Sequence, residues 1–228
     1  MDIVAILNQK GGSGKSTLTL HLAVASERAR RAAAVIDLDP QASATGWKDS
    51  RSAETPVVVP VPSTRLPQAL EAARAGGADL ALIDTAPHAS DVALAAAEAA
   101  DLVLIPCRPG ILDLRAMGTT ARAIKLAGKP AFVVLNAMPP RAPNVLADAI
   151  AAVAVHGLEV APVFMQQRAA YAHSLTVGQT AQEFDPLGKA AEEISQLYAW
   201  LRQRLNPTAK LPATRQSGNK ASRKREVA

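Results

Sequence analysis

The sequence predicts an α/β fold, a doubly wound and mostly parallel sheet with helices on both faces, and three observations point there. Short apolar runs alternate with helix-like segments along most of the chain. The runs are apolar throughout, as strands buried on both faces are. Nearly half of the 228 residues are apolar but only 3% are aromatic, so the core must be built mainly from Ala, Val, Leu and Ile.

The first strand is expected over Ile3–Leu7, followed by a Gly-rich turn and a helix from about Lys15 to Arg31. Ala33–Leu38 is the next strand and ends among acidic residues; Val57–Val59 is a short one bracketed by Pro56, Pro60 and Pro62. A helix over Gln68–Ala75 closes at Gly76-Gly77. Then come Leu80–Ile83 (strand), Val92–Ala100 (helix), Leu102–Pro106 (strand), Leu112–Ala127 (helix) and Ala131–Leu135 (strand). A helix near Val145–Val155 precedes a last strand, Val160–Phe164. The final helix, roughly Pro186–Leu205, carries Leu187, Ala191, Ile194, Tyr198, Leu201 and Leu205 at helical spacing, a stripe suited to docking on the body.

Charge divides the chain in two. Six basic residues follow Asn206 (Lys210, Arg215, Lys220, Arg223, Lys224, Arg225) against one acid, Glu226, which leaves 19 basic and 19 acidic residues before it. The expected organisation is one domain over residues 1–205 and a basic, disordered tail over 206–228. No run approaches the roughly 20 apolar residues of a membrane span. Polar residues interrupt the opening apolar run too early for a signal peptide, so a cytoplasmic home is expected. Cys107 is the sole cysteine and is expected to be a small buried hydrophobe.

The chemistry is concentrated in Lys10-Gly11-Gly12-Ser13-Gly14-Lys15-Ser16-Thr17, between the first strand and the first helix. Glycines let backbone N–H groups turn inward around phosphate oxygens, and the helix N-terminus adds a favourable dipole. Lys15 would reach the β- and γ-phosphates, and the Ser16 hydroxyl would hold Mg²⁺. The common pattern has a glycine five residues before Gly14; here that position is Gln9, and a second lysine, Lys10, follows it.

These residues resemble the ParA/MinD group of deviant Walker ATPases, and most of all the small ParA-type plasmid partition ATPases. Val35-Ile36-Asp37-Leu38-Asp39-Pro40-Gln41 is similar to the group's second acidic motif, and Leu82-Ile83-Asp84-Thr85-Ala86-Pro87 to its Walker B strand end. Arg108-Pro109, Leu112-Asp113-Leu114 and the run Arg168–Pro186, with Tyr171, Gly178 and Phe184-Asp185-Pro186, also look familiar. The resemblance spans about residues 1–205. It implies Mg²⁺-dependent ATP hydrolysis, in which Asp39 positions the attacking water, Asp84 holds Mg²⁺ through water and Asp37 supports the metal shell. It further implies that Lys10 crosses an ATP-state homodimer to reach the other subunit's phosphates. Asn136, at the end of a strand, either reads adenine or only turns the chain.

The resemblance also implies the output: non-specific DNA binding by the ATP dimer, nucleoid association, and release when a centromere-binding, ParB/ParG-like adaptor stimulates hydrolysis. DNA contacts are expected at Arg202 and Arg204 and at Arg223, Lys224 and Arg225, unless these only form a solvated face. Plasmid segregation leads, chromosomal DNA follows, and another large cargo is the alternative. A MinD-like membrane attachment is a weaker one, since Leu211 and Val227 are the only large apolar residues of the tail. A single cysteine per chain excludes an electron donor built on four thiolates bridging a dimer.

Overall fold

The structure, a computed structural model, describes residues 1–207; Arg223, Lys224 and Arg225 lie outside them. The strands are β1 (Asp2–Ile6), β2 (Ala33–Asp37), β3 (Val57–Pro60), β4 (Leu80–Asp84), β5 (Leu102–Cys107), β6 (Ala131–Leu135) and β7 (Glu159–Val160). They form one parallel sheet in the order β3-β2-β4-β1-β5-β6-β7. The strand order reverses at β1, so its C-terminal end opens into the crevice where doubly wound sheets take their ligands.

Each central strand feeds two cores, which is why its run is apolar throughout. Val4 and Ile6 face one side with Val35, Leu82 and Leu104, while Ala5 and Leu7 face the other with Ile36, Ile83 and Ile105. The first side is covered by α1 (Lys15–Arg28), α2 (Ser43–Asp49), α8 (Ala169–Thr176), α9 (Ala181–Phe184) and α10 (Lys189–Leu205). The second is covered by α3 (Leu66–Ala75), α4 (Ser90–Ala99), α5 (Ile111–Arg115), α6 (Met117–Ala127) and α7 (Pro143–Ala154). Cys107 is buried in that second core.

Several boundaries differ from the sequence reading, for local reasons. The first helix stops at Arg28 because Arg30 adopts a left-handed backbone (φ 59°). The helix expected over Leu112–Ala127 is two: ψ of −10° at Ala116 tightens the last turn of α5, and the axis restarts at Met117. The strand expected over Val160–Phe164 shortens to Glu159–Val160, since Pro162 has no N–H to give. Backbone pairing nevertheless continues irregularly, with Ala161 N–H on the Val133 carbonyl and Met165 N–H on that of Leu135. α10 begins at Lys189, after an extended Gly188, so Leu187 is left 99% exposed and drops out of the buried stripe. Ala191, Ile194, Tyr198 and Leu201 are buried as expected, and the Tyr198 hydroxyl meets Ser26 of α1 at 3.1 Å. Among the described residues no helix is long and apolar enough to cross a membrane.

Candidate nucleotide-binding site

The phosphate loop connects β1 to α1, and side chains from three distant segments brace it. Asn8 donates to the Pro106 carbonyl (2.8 Å) and accepts the Lys10 N–H (2.9 Å). Gln9 donates its side-chain amide to Ser90 (3.0 Å), its N–H lies 3.3 Å from the Thr120 hydroxyl, and its carbonyl accepts the His88 N–H. The left-handed turns fall on Gly12 (φ 69°) and Gly14 (φ 97°), so the position of Gln9 needs no glycine. Gly14 has a second reason to be glycine. A Cβ there would stand 2.0 Å from the Asn136 amide nitrogen, which donates to the Ser13 carbonyl at 3.0 Å. Asn136 Oδ1 accepts the Ala137 N–H (2.7 Å), which fixes the side chain so that its amide nitrogen braces the loop from behind.

Lys15 opens α1 and is only 7% exposed, with Nζ 3.3 Å from the Lys10 carbonyl. Burial lowers its pKa, and the charges of Asp84 and Asp39 pull it back up. Ser16 and Thr17 line a cleft of about 630 Å³ together with Gly11, Gly12, Gly14, Lys15, Asp39 and Trp47.

Asp37 and Asp84 end neighbouring strands and stand opposite each other in register. Asp37 is fully engaged: Oδ1 accepts the Asp39 N–H (3.1 Å) and Oδ2 accepts both the N–H and the hydroxyl of Thr45. Its carboxylate thus pins the loop that carries Asp39 and caps the first turn of α2. Asp84 is fully buried, and neither carboxylate oxygen has a hydrogen-bond partner. Burial pushes its pKa up to about 7; the nearby Ser16 hydroxyl and Lys15 lower it, while Asp37 and Asp39 raise it. Two orphaned buried carboxylate oxygens fit a hard cation, which is the observation that makes Mg²⁺ chemically reasonable here. No cluster of three His, Cys, Asp or Glu side chains among the described residues holds a metal alone. That suits Mg²⁺, which usually takes one or two carboxylates and completes its shell with phosphate and water.

Backbone strain gathers around the same edge. Ala42, His88 and Ala137 all take left-handed backbones (φ 51°, 58° and 52°), each shortly after the C-terminal end of β2, β4 or β6. Lys10 points elsewhere. Its ammonium pairs with Asp113 of α5 at 2.8 Å, and it is absent from the cleft lining.

The DNA candidates within the described residues, Arg202 and Arg204, sit at the far edge of the sheet. Asn206, just past α10, bonds Asp2 at the start of β1, whereas the phosphate loop leaves the end of β1. Arg204 lies 5.0 Å over the Phe132 ring and 5.8 Å from that of Trp200, and Arg202 is half-buried. The sequence reading missed Gln9 as a brace, Trp47 as a cleft wall and Asp113 as the partner of Lys10. Asp113 lies within a stretch already singled out, but a pairing across so long a separation leaves no local mark.

The sequence profile of the CobQ/CobB/MinD/ParA nucleotide binding domain matches residues 4–181. The Maintenance of carboxysome distribution protein A of Gloeobacter kilaueensis is 30% identical over 207 residues, covering 90% of this chain and 94% of that protein. The chromosome-partitioning ATPase Soj of Thermus thermophilus is 33% identical over 132 residues, 45% of this chain and 53% of its own length. In fold, the septum site-determining protein MinD of Pyrococcus horikoshii, solved with Mg-ADP, superposes with a TM-score of 0.71 at 20% identity, over 92% of this chain and 99% of that one. With the profile covering most of the domain and a relative aligned along nearly its whole length, this chain belongs to the CobQ/CobB/MinD/ParA family of nucleotide-binding domains and is a ParA/MinD-type ATPase.

Proposed function

We propose that the chain is an ATP-driven positioning switch, a Mg²⁺-dependent ATPase whose ATP state is a homodimer bound to non-specific DNA. An adaptor of the ParB/ParG kind would stimulate hydrolysis and release it, so that a large cargo is moved or spaced. The observation that carries the dimer is Lys10: a second loop lysine held outside its own phosphate cleft, by a pair weak enough to exchange. A cargo-positioning role draws support from the carboxysome-distribution relative, which aligns along nearly the whole chain, and from the chromosome-partitioning relative, which aligns along less than half. Segregation of plasmid or chromosomal DNA and spacing of a protein body are both forms of this output.

The residues perform the reaction by positioning and charge neutralisation. Loop N–H groups and the α1 N-terminus would hold the triphosphate, and Lys15, partly desolvated beforehand, regains a full partner for its charge. Ser16 and Asp84 would hold Mg²⁺, which would neutralise charge developing on the phosphate oxygens. Asp39 keeps Oδ1 on the Gln41 N–H (2.9 Å), which leaves Oδ2 to orient the attacking water. Asp37 would support the metal shell through the loop it pins, and Asn136 would act on the nucleotide through the phosphate loop it braces.

Steady-state ATP turnover with Mg²⁺, with and without duplex DNA, tests the reading. Asp39→Ala is expected to bind ATP and to lose turnover by roughly 100-fold or more. A wild type without turnover under any of these conditions, or an Asp39→Ala variant as active as the wild type, contradicts it.

A further inference from the structure

The run Arg168–Pro186 lies far from the phosphate loop in sequence, yet its second half is stapled to the segment that follows Asp39. Gly178 (φ +69°) packs so closely on that segment that a Cβ would stand 2.3 Å from the Ser50 carbonyl oxygen and 2.8 Å from Arg51 Cα. The Trp47 indole donates to the Gln179 carbonyl (3.2 Å), and Arg51 donates to the carbonyls of Gly178 (3.0 Å) and Thr55 (2.7 Å). Arg51 then closes a bidentate pair with Glu183, at 2.9 and 2.7 Å, while its guanidinium lies 4.8 Å from the centre of the Trp47 ring. The Arg51 side chain is only 5% exposed.

Glu183 is itself fixed at the start of α9 by a capping box with Thr180, whose N–H and hydroxyl it accepts. Burial alone would raise its pKa, but Arg51 and Thr180 outweigh that and hold the carboxyl below its ordinary value. α9 is tied in turn to the phosphate loop. The Ala181 N–H donates to His21 Nε2 (3.1 Å), and His21 Nδ1 meets the Thr17 carbonyl at 2.8 Å. Trp47, Ser50, Leu175 and Thr176 line the same cleft as Gly11, Gly12 and Gly14–Thr17. A continuous path of contacts therefore runs from Thr17 through His21, α9, Glu183 and Arg51 to α2, the helix that follows Asp39.

We infer that Arg51 and Glu183 are positioning residues for ATP hydrolysis: their pair fixes α2 and so sets the distance of Asp39 from the phosphate loop. The inference rests on the ATPase reading above. An apolar pair would hold the packing equally well, because a buried ion pair recovers little beyond its desolvation. What the bidentate fork adds is direction, which packing alone does not supply. Misplacing a catalytic group by about an ångström is enough to slow a reaction by two orders of magnitude.

The test compares the full chain with Glu183→Gln, which keeps the cap but removes the charge, and Arg51→Lys, which keeps the charge but removes the fork. Both variants are expected to lose kcat by about 10- to 100-fold while KM for ATP stays within about threefold. Amide exchange over residues 39–50 is expected to quicken in both, with residues 10–17 unchanged. A merely structural pair would lower the Tm and leave kcat at low temperature where it was, and that result overturns the inference. So does unaltered exchange over residues 39–50. If the wild type itself shows no turnover, the ATPase reading fails, and the exchange measurement alone decides whether the pair fixes the Asp39 segment.

Discussion

His21 ties the end of the phosphate loop to α9, and its chemistry depends on staying neutral. Its ring is completely buried, edge-on to Tyr171 at 5.2 Å, with Nδ1 donating to Thr17 and Nε2 accepting from Ala181. Burial pulls its pKa down to about 4, against upward pulls from the Thr17 carbonyl and Glu183. Between pH 6.5 and 4 the unfolded chain takes up a proton that the folded chain refuses, so stability falls as pH falls through that window. The share due to this residue is on the order of 3 kcal/mol. Urea midpoints at pH 7, 6 and 5 should therefore decline in the wild type, and His21→Gln should decline less steeply. Equal slopes in the two proteins would remove His21 as the cause. Glu27, Asp101 and Asn206, by contrast, use their side chains to tie strand ends to neighbouring segments and need no catalytic role.

At the scale of elements, the close approach at Gly178 distinguishes a structural contact from an ordinary helix stop. Gly128 closes α6 with a similar left-handed backbone (φ +65°), but nothing lies within 4 Å of the Cβ it lacks. Gly128→Ala should cost about 1 kcal/mol, the strain of the backbone alone. Gly178→Ala adds the collision with Ser50 and Arg51 and should cost about 3 kcal/mol or more. Thermal unfolding of the two variants measures the difference; equal losses would mean that α2 moves aside freely. The central strands were legible because burial on both faces makes each an unbroken apolar run, as in Leu102–Cys107. α2 was not, since seven residues with Gly46 among them show no helical period, and its first turn is capped by Asp37 from another segment. α9 did leave a signal that went unused: Thr180-Ala181-Gln182-Glu183 is a capping-box sequence. The strand–loop–helix setting of the phosphate loop and the strand-end places of Asp37 and Asp84 were legible in the pattern, while the roles given to the three aspartates came from the resemblance. The full engagement of Asp37 was not legible, because it depends on the turn that brings Thr45 of α2 back to it, and the path through Arg51 was not, because it joins positions far apart in the chain.

At the scale of the whole molecule, the strand order carries Lys15, Asp37, Asp39 and Asp84 to one edge of the sheet and leaves Arg202 and Arg204 at the other. An ATP-state dimer closed over the first edge would bury the phosphates and leave the second edge free to face DNA. In the single subunit Lys10 is paired with Asp113, and in the proposed dimer it would reach the partner's phosphates. Dimerisation and ATP binding would then be one linked equilibrium, each strengthening the other. Sedimentation velocity of the wild type and of Lys10→Ala, each with Mg-ATP and with Mg-ADP, tests this claim most directly. The wild type is expected to be a dimer in Mg-ATP alone, and Lys10→Ala a monomer that still binds ATP. An ATP-induced dimer in Lys10→Ala, or a wild type that stays monomeric at saturating Mg-ATP, would contradict it.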